Sequence, residues 1–226
     1  MTKLYDTFKL LEEETSRRTS SRWSVVRLDG SNFSSFTKQF AKPFSSVFGE
    51  AMNSAAIYVK KLFPSAAITY VASDEISVLL PQLPVIPFSG RYEKILPLAA
   101  SWATAGFLQA SGPVVGVPAF DARVIEFDSD DLIMDYFSWR RLDTRKNAVS
   151  MAVESMYSHK QLIGVSTRDR AELLVGTDFE KIDEGIFNGR VIIGNKLVPA
   201  TRELTEELVS TAILSMREKE AALALP

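Results

Sequence analysis

Cysteine is absent from this 226-residue chain and histidine occurs once. Without cysteine there are no disulfides, thiolate zinc sites, iron–sulfur clusters or cysteine nucleophiles. One histidine excludes multi-histidine metal sites and leaves room for a single Ser–His–Asp triad at most. Neither sign of charge predominates: 26 Lys and Arg face 28 Asp and Glu, for a net −2 and a pI near 5.6. Wholesale electrostatic binding of nucleic acid is therefore not expected, although a local basic patch stays open. Long hydrophobic runs are missing too. The most apolar stretch, Ile95 to Ala110, carries Pro97, Ser101, Thr104 and Gln109 and is too short to cross a bilayer. Met1 to Ser21 is rich in Glu, Arg, Ser and Thr and lacks the apolar centre of a signal peptide. No lipidation motif stands at Ala-Leu-Pro, the last residues. A cytoplasmic protein with no membrane contact is expected. Repeats and low-complexity tracts are also lacking, as are the common glycine loops. Gly189 to Gly194 has the spacing of a phosphate loop, but Asn195 stands where lysine must be. With no G-x-G-x-x-G and no G-x-S-x-G, Walker-type nucleotide binding and acyl transfer by a strained serine drop out.

What is present is ordinary globular material, 46% hydrophobic and 24% charged. The length fits one domain over 1–226, burying roughly 70% of its unfolded surface. Arg22 to Leu28 alternates as a strand and ends at Asp29-Gly30. Phe44, Val47, Phe48, Ala51, Ala55, Val59 and Leu62 fall at helical spacing up to the stop at Pro64. Ala67 to Ala72 and Ile76 to Leu80 read as a hairpin with Ser73-Asp74-Glu75 in its tip. Pro81, Pro84 and Pro87 make Pro81 to Gly90 a loop. A helix over Glu93 to Leu108, with Pro97 near its start, precedes a strand over Ala119 to Phe127. Ser129 is placed to cap the next helix, with Asp130 and Asp131 at its positive end. A further amphipathic helix carries Val149, Ala152, Val153, Met156 and Tyr157, and another runs from Thr201 to about Leu223 with Leu204, Leu208 and Ile213 on one side. The interleaving predicts an α+β fold, an α/β sandwich around an antiparallel or mixed sheet flanked by helices.

Chemistry concentrates at two strand ends. If the first strand neighbours the hairpin, Asp29 and Asp74-Glu75 converge at a sheet edge beside the Gly30 carbonyl. Hard divalent cations take such oxygens, and Mg²⁺ in phosphoryl-transfer sites is held by one or two carboxylates plus substrate phosphates. Two ions about 4 Å apart activate an attacking oxygen and stabilise leaving pyrophosphate. Asp-Gly after a strand and Ser-Asp-Glu between strands are also ordinary turn sequences, so spacing leaves a turn and a metal site both open.

Longer segments narrow the choice. Arg27-Leu28-Asp29-Gly30-Ser31-Asn32-Phe33, Phe40-Ala41-Lys42-Pro43 and Ser73-Asp74-Glu75 resemble the hallmark segments of the tRNA(His) guanylyltransferase family and its guanylyltransferase-like relatives. Pro118-Ala119-Phe120-Asp121-Ala122-Arg123-Val124, then Tyr136-Phe137-Ser138-Trp139-Arg140 and Asp143, form a second block. A weaker third runs from Gln161-Leu162 through Gly164, Ser166 and Thr167 to Glu172-Leu173-Leu174. The resemblance implies a polymerase-palm, ferredoxin-like catalytic core over about 5–140 and a helical, RNA-contacting part over about 141–226. It implies nucleotide addition in the 3′-to-5′ direction to the 5′ end of tRNA or tRNA-like RNA, with ATP and GTP as substrates. On the same ground Asp29 and Asp74 would ligate two Mg²⁺ with help from the Gly30 carbonyl, and Glu75 would support the site. Arg27 and the backbone of Gly30, Ser31, Asn32 and Phe33 would meet the triphosphate of the incoming nucleotide. Lys42, Ser73 and Asn147 match positions tied to triphosphate handling and 5′ activation, and the family implies a homotetramer, a dimer of dimers.

Departures from the family pattern point to a divergent member. Where the family has His-hydrophobic-Asn-Asn, this chain reads Arg145-Lys146-Asn147-Ala148, and the aromatic-Asn-Thr that follows has become Ser150-Met151-Ala152. Repair of 5′-truncated tRNA by templated addition is thus expected over the tRNA(His) reaction itself. Between residues 138 and 170 seven cations face three carboxylates, a local +4 in a chain of −2. Arg140, Arg145 and Lys146 within it read as an RNA track, with a solvated helix face as the alternative. Tyr136, Phe137 and Trp139 read as core and His159 as a surface or capping residue. Three other functions stay open: joining or cyclising small nucleotides, a non-catalytic RNA-binding scaffold, and a metal-dependent nuclease.

Overall fold

The structure is a computed structural model that describes residue 18 and residues 23–81 and 87–223. The readings of Met1 to Ser21, of Arg22 and of the middle of the Pro81–Gly90 loop lie outside the described residues. The chain alternates β1 (Trp23–Gly30), α1 (Phe33–Phe36), α2 (Ser46–Leu62), β2 (Ile68–Ala72), β3 (Glu75–Pro81), α3 (Tyr92–Ser111) and β4 (Phe120–Phe127). A long α4 (Asp130–Met156) and the short α5 (His159–Leu162), α6 (Thr167–Glu172) and α7 (Glu184–Asn188) follow. β5 (Arg190–Ile193), β6 (Lys196–Pro199) and α8 (Arg202–Leu223) complete the described chain.

The strands form a six-stranded sheet in the order β4-β1-β3-β2-β5-β6, with every adjacent pair antiparallel. The first four strands are those of a split β-α-β arrangement, in which β3 is inserted between β1 and β2. The α+β expectation therefore holds, and the sheet is antiparallel rather than mixed. Helices α2 and α3 cover one face, burying Val59, Ala99, Ala103 and Phe107 against Val26, Leu28, Ile76 and Val78. On the opposite face α4 and α8 bury Ile133, Phe137, Val209 and Met216 against Trp23, Val25, Tyr70 and Leu79. This two-sided burial explains why β2 and β3 read as nearly continuous apolar runs. A third cluster joins Phe44 to Val149, Ala152, Phe179 and Phe187, away from the sheet.

Several boundaries differ from the sequence reading. Ser45 caps α2 by accepting a hydrogen bond from the Phe48 amide at 3.2 Å, whereas Ser129 occupies its cap position without a side-chain capping bond. The helix expected around Val149 to Tyr157 is the second half of α4, which runs unbroken for 27 residues. No proline or glycine interrupts it, and its inward face changes partner midway, from the sheet at Phe137 to the third cluster at Val149. Position 140, the expected end of the catalytic core, falls inside this helix. β5 and β6, which sequence reading did not find, lengthen the sheet beyond β2. They are four residues each, too short to show a period-two pattern.

Candidate active site

The site lies where β1 ends and the β2–β3 hairpin turns. Antiparallel pairing sets Asp29 opposite Glu75 and Leu28 opposite Ile76. The Gly30 amide donates to the Asp74 carbonyl at 3.0 Å, so the Asp-Gly corner is tied directly to the hairpin turn. β1 and β3 are interior strands. Asp29 and Asp74 thus stand half-buried at the end of the sheet's middle rather than at an exposed sheet edge. Glu75 is not in the turn. Ser73 takes a left-handed backbone, φ 51°, which closes the hairpin in two residues and makes Glu75 the first residue of β3, 4% exposed.

Two non-glycine residues with positive φ, Asn32 (58°) and Ser73 (51°), flank the carboxylates. This backbone costs an L residue about 1–2 kcal/mol, and such strain gathers at functional sites. Gly30 is sterically required: a Cβ there would meet the Phe33 ring at 2.2 Å. Phe33 turns away from the carboxylates into the cluster under α2 and α3, anchoring the Ser31–Asn32 turn on that side of the sheet. The Gly30 and Ser31 amides are already used, by the Asp74 and Ala119 carbonyls at 3.0 and 2.8 Å. Of the four backbone positions expected to meet a triphosphate, the Asn32 and Phe33 amides are the ones left to it.

Among the described residues no ion pair reaches Asp29 or Asp74. Burial, then the nearby Asp29 charge, pushes the Asp74 carboxyl above its usual range against the lowering effect of its local hydrogen bonds and Arg27. Two carboxylates held close, with no ion pair of their own among the described residues and only the neighbouring Arg27 charge to offset them, suit a hard divalent ion. The donor set of two carboxylates and the Gly30 carbonyl matches what Mg²⁺ takes when phosphates complete its shell.

Glu75 has a different environment. The Arg27 guanidinium pairs with its Oε2. Arg140 of α4 places Nε 2.8 Å from Oε1 and donates from Nη2 to Oε2 at 2.8 Å. Ser77 Oγ lies 3.3 Å from Oε1 and 2.8 Å from the Tyr136 hydroxyl. With both guanidinium groups engaged, Glu75 braces the site and is not itself an open ligand. Arg140 is 11% exposed and committed to Glu75 and Asp143, which takes it off the surface track expected of it. Its reach to a residue 65 positions away leaves no sequence signal. Tyr136 and Phe137 are buried as expected, at 6% and 1%, and burial pushes the Tyr136 hydroxyl up to about 12. Trp139 is not core: it is 53% exposed, because its position faces away from the row that carries Phe137 and Arg140 to the sheet.

The remaining expected residues are exposed. Arg145, Lys146 and Asn147 are exposed on α4 beyond Arg140, and Lys42 is exposed ahead of α2. Packing of Phe44 in the cluster of Val149 and Ala152 brings the Lys42 segment alongside the second half of α4, where Asn147 lies. His159 is exposed as the first residue of α5. No helix among the described residues is long and apolar enough to cross a membrane.

An antiparallel split sheet with two carboxylates at adjoining strand ends and a strained turn beside them has the form of a phosphoryl-transfer site, and comparison with known proteins narrows the class to nucleotidyltransferases. A profile of the tRNA(His) guanylyltransferase family, Thg1, matches residues 5–128. The chain is 28% identical to the tRNA(His) guanylyltransferase of Neurospora crassa over 226 residues, covering 87% of this chain and 77% of that protein. It is 27% identical to the "Probable tRNA(His) guanylyltransferase" of Drosophila melanogaster over 215 residues, covering 84% and 75%. Against the Arabidopsis thaliana tRNA(His) guanylyltransferase 2 it spans only 33% of the longer protein. Among solved structures, a bacterial Thg1-like protein in complex with ATP superposes with a TM-score of 0.79 at 29% identity, over 91% of this chain and 99% of that one. A bacterial Thg1-like protein in complex with GTP gives 0.73 at 26% identity, over 92% and 99%. The chain belongs to the tRNA(His) guanylyltransferase family of nucleotidyltransferases.

Proposed function

We propose that this protein adds nucleotides in the 3′-to-5′ direction to the 5′ end of tRNA or a tRNA-like RNA, with Mg²⁺ and with ATP and GTP as substrates. The observation that carries the reading is the pair Asp29 and Asp74, joined through the Gly30–Asp74 backbone bond and without an ion pair among the described residues. Asp29, Asp74 and the Gly30 carbonyl would hold the metal, which when bound neutralises charge on the reacting phosphates. Asn32 and Phe33 present their amides to the triphosphate of the incoming nucleotide, with Lys42 and Ser73 toward the rim. Glu75, fixed by Arg27 and Arg140, keeps the two strand ends in register. The 3′-hydroxyl of the bound nucleotide attacks the 5′ α-phosphorus of the activated RNA end. Its proton is lost, the bond to the leaving pyrophosphate or nucleotide breaks, and the new 5′ end keeps its triphosphate. Such a transfer needs in-line positioning and charge neutralisation more than covalent chemistry, consistent with a site that contains no histidine. The Arg145-Lys146-Asn147-Ala148 departure favours templated repair of truncated 5′ ends over the tRNA(His) reaction. A homotetramer is part of the same proposal.

The test is incorporation of α-labelled GTP, with Mg²⁺, into tRNA transcripts lacking the 5′ nucleotide and ending in a monophosphate or a triphosphate. We expect label on the triphosphate end at least, and a loss of about 10³-fold or more in Asp29→Ala and in Asp74→Ala. Undiminished incorporation in either variant overturns the metal assignment. No incorporation by the unaltered protein on either end overturns 5′ addition.

A further inference from the structure

Trp139 is the one exposed residue of the Tyr136–Arg140 segment. It is 53% exposed yet not loose. The Tyr136 ring meets it edge-on at 6.1 Å and 68°, and the Arg140 guanidinium carbon lies 4.6 Å from its ring centroid. Arg140 is in turn fixed on Glu75, which pairs across the sheet with Asp29. The indole is thus a rigid aromatic surface, one residue along α4 from the side chain that pairs with Glu75, which lies opposite Asp29 in the sheet.

Its side of the sheet matters. The Ser31–Phe33 turn is anchored by Phe33 in the cluster under α2 and α3, whereas Tyr136 belongs to the cluster under α4 and α8. The turn that meets the incoming nucleotide and the exposed indole therefore flank the carboxylates from opposite faces. An in-line transfer brings its two reactants together from two sides, so the reactant on the Trp139 side is the RNA end. Charge supports this. Lys146, exposed and seven positions on, shares the face of Trp139 about 10 Å along the axis, where it can meet a phosphate of a strand whose end base lies on the indole. Asp135 lies one turn back on that face, and Asp143 is neutralised by Arg140.

We propose that Trp139 is a stacking platform for an unpaired base at the 5′ end of the RNA, with Lys146 on the neighbouring phosphate. This rests on the proposed 5′ addition for the identity of the strand but not for the contact. Binding is therefore read apart from turnover, as anisotropy of a 5′-labelled single-stranded oligoribonucleotide. Trp139→Ala should weaken that affinity roughly 10- to 100-fold, and Trp139→Phe should restore most of it. Affinity for GTP, bound on the other face, should move less than twofold. Unchanged RNA affinity in Trp139→Ala overturns the proposal. So does full affinity in Trp139→Leu, since an apolar side chain without a π-face would then suffice. Loss of oligomer in sedimentation with RNA affinity falling in proportion also overturns it, assigning the indole to an interface between copies. If the protein binds RNA through Trp139 but transfers no nucleotide, the platform stands and the proposed reaction fails.

Discussion

Asp74 is the residue whose chemistry and stability pull in opposite directions. Its carboxyl is raised by burial and by Asp29, so between its unfolded and folded pKa values the native state binds more protons than the unfolded chain. Stability of the metal-free protein is therefore lost as pH rises through that window, and is higher below it. Asp74→Asn removes the buried charge while keeping the shape. In metal-free buffer at neutral pH it should melt above the unaltered protein, with the gap closing as pH falls toward the acid end. Added Mg²⁺ should raise the melting temperature of the unaltered protein and leave that of Asp74→Asn unmoved. Thermal melts across pH, with and without Mg²⁺, check this. A melting temperature below that of the unaltered protein at neutral pH would remove the reading of Asp74 as a carboxylate whose burial and Asp29 neighbour outweigh its hydrogen bonds and Arg27.

Between elements, the contact that fixes α4 over the site is the buried Glu75 group. Glu75 is 4% exposed and sits between Arg27 of β1 and Arg140 of α4. Removing one partner of a buried ion pair leaves the other charge uncompensated, at about 3–5 kcal/mol. Arg27 still pairs with Glu75 in Arg140→Met, so that variant should lose less than this, about 1.5–3 kcal/mol for its charged hydrogen bonds, whereas Arg145→Ala, exposed on the same helix, should stay within about 0.5 kcal/mol. Denaturant unfolding followed by circular dichroism separates them. Equal effects would return Arg140 to the exposed RNA track where its place in a basic run first put it.

The molecule as a whole depends on its last helix. Val209 and Met216 of α8 are 0% and 2% exposed and complete the cluster around Trp23, Val25 and Tyr70. Arg217 of α8 bonds Asp130 Oδ2 at 3.0 Å, and Asp130 Oδ1 accepts from Trp23 Nε1 at 3.0 Å, so both ends of the described chain meet on one carboxylate. Met216→Ala should cost about 2–4 kcal/mol, measured by the same unfolding. A cost under 0.5 kcal/mol would mean that α8 is peripheral to the fold.

The hairpin, the first strand and the α2, α3 and α8 helices were legible because each is a local pattern: short apolar runs about a polar turn, or a period of two or 3.6 residues. That Asp29 and Asp74 stand beside turns was legible in the same way, but spacing left a turn and a metal site both open, and the proposed ligand role came from the family resemblance. The continuity of α4 was not, since its inward face serves two different clusters and no single stripe runs along it. Nor were β5 and β6, whose four residues carry no period, or the bond from Arg140 to Glu75. Residue types at neighbouring positions fix turns and helices through short-range sterics and hydrogen bonding. Which charge is buried and which indole is left in solvent depends on where elements far apart in sequence come to rest. That is why Arg140 and Trp139, adjacent in the chain, part company: one turns in to pair with Glu75, and the other stays open to solvent.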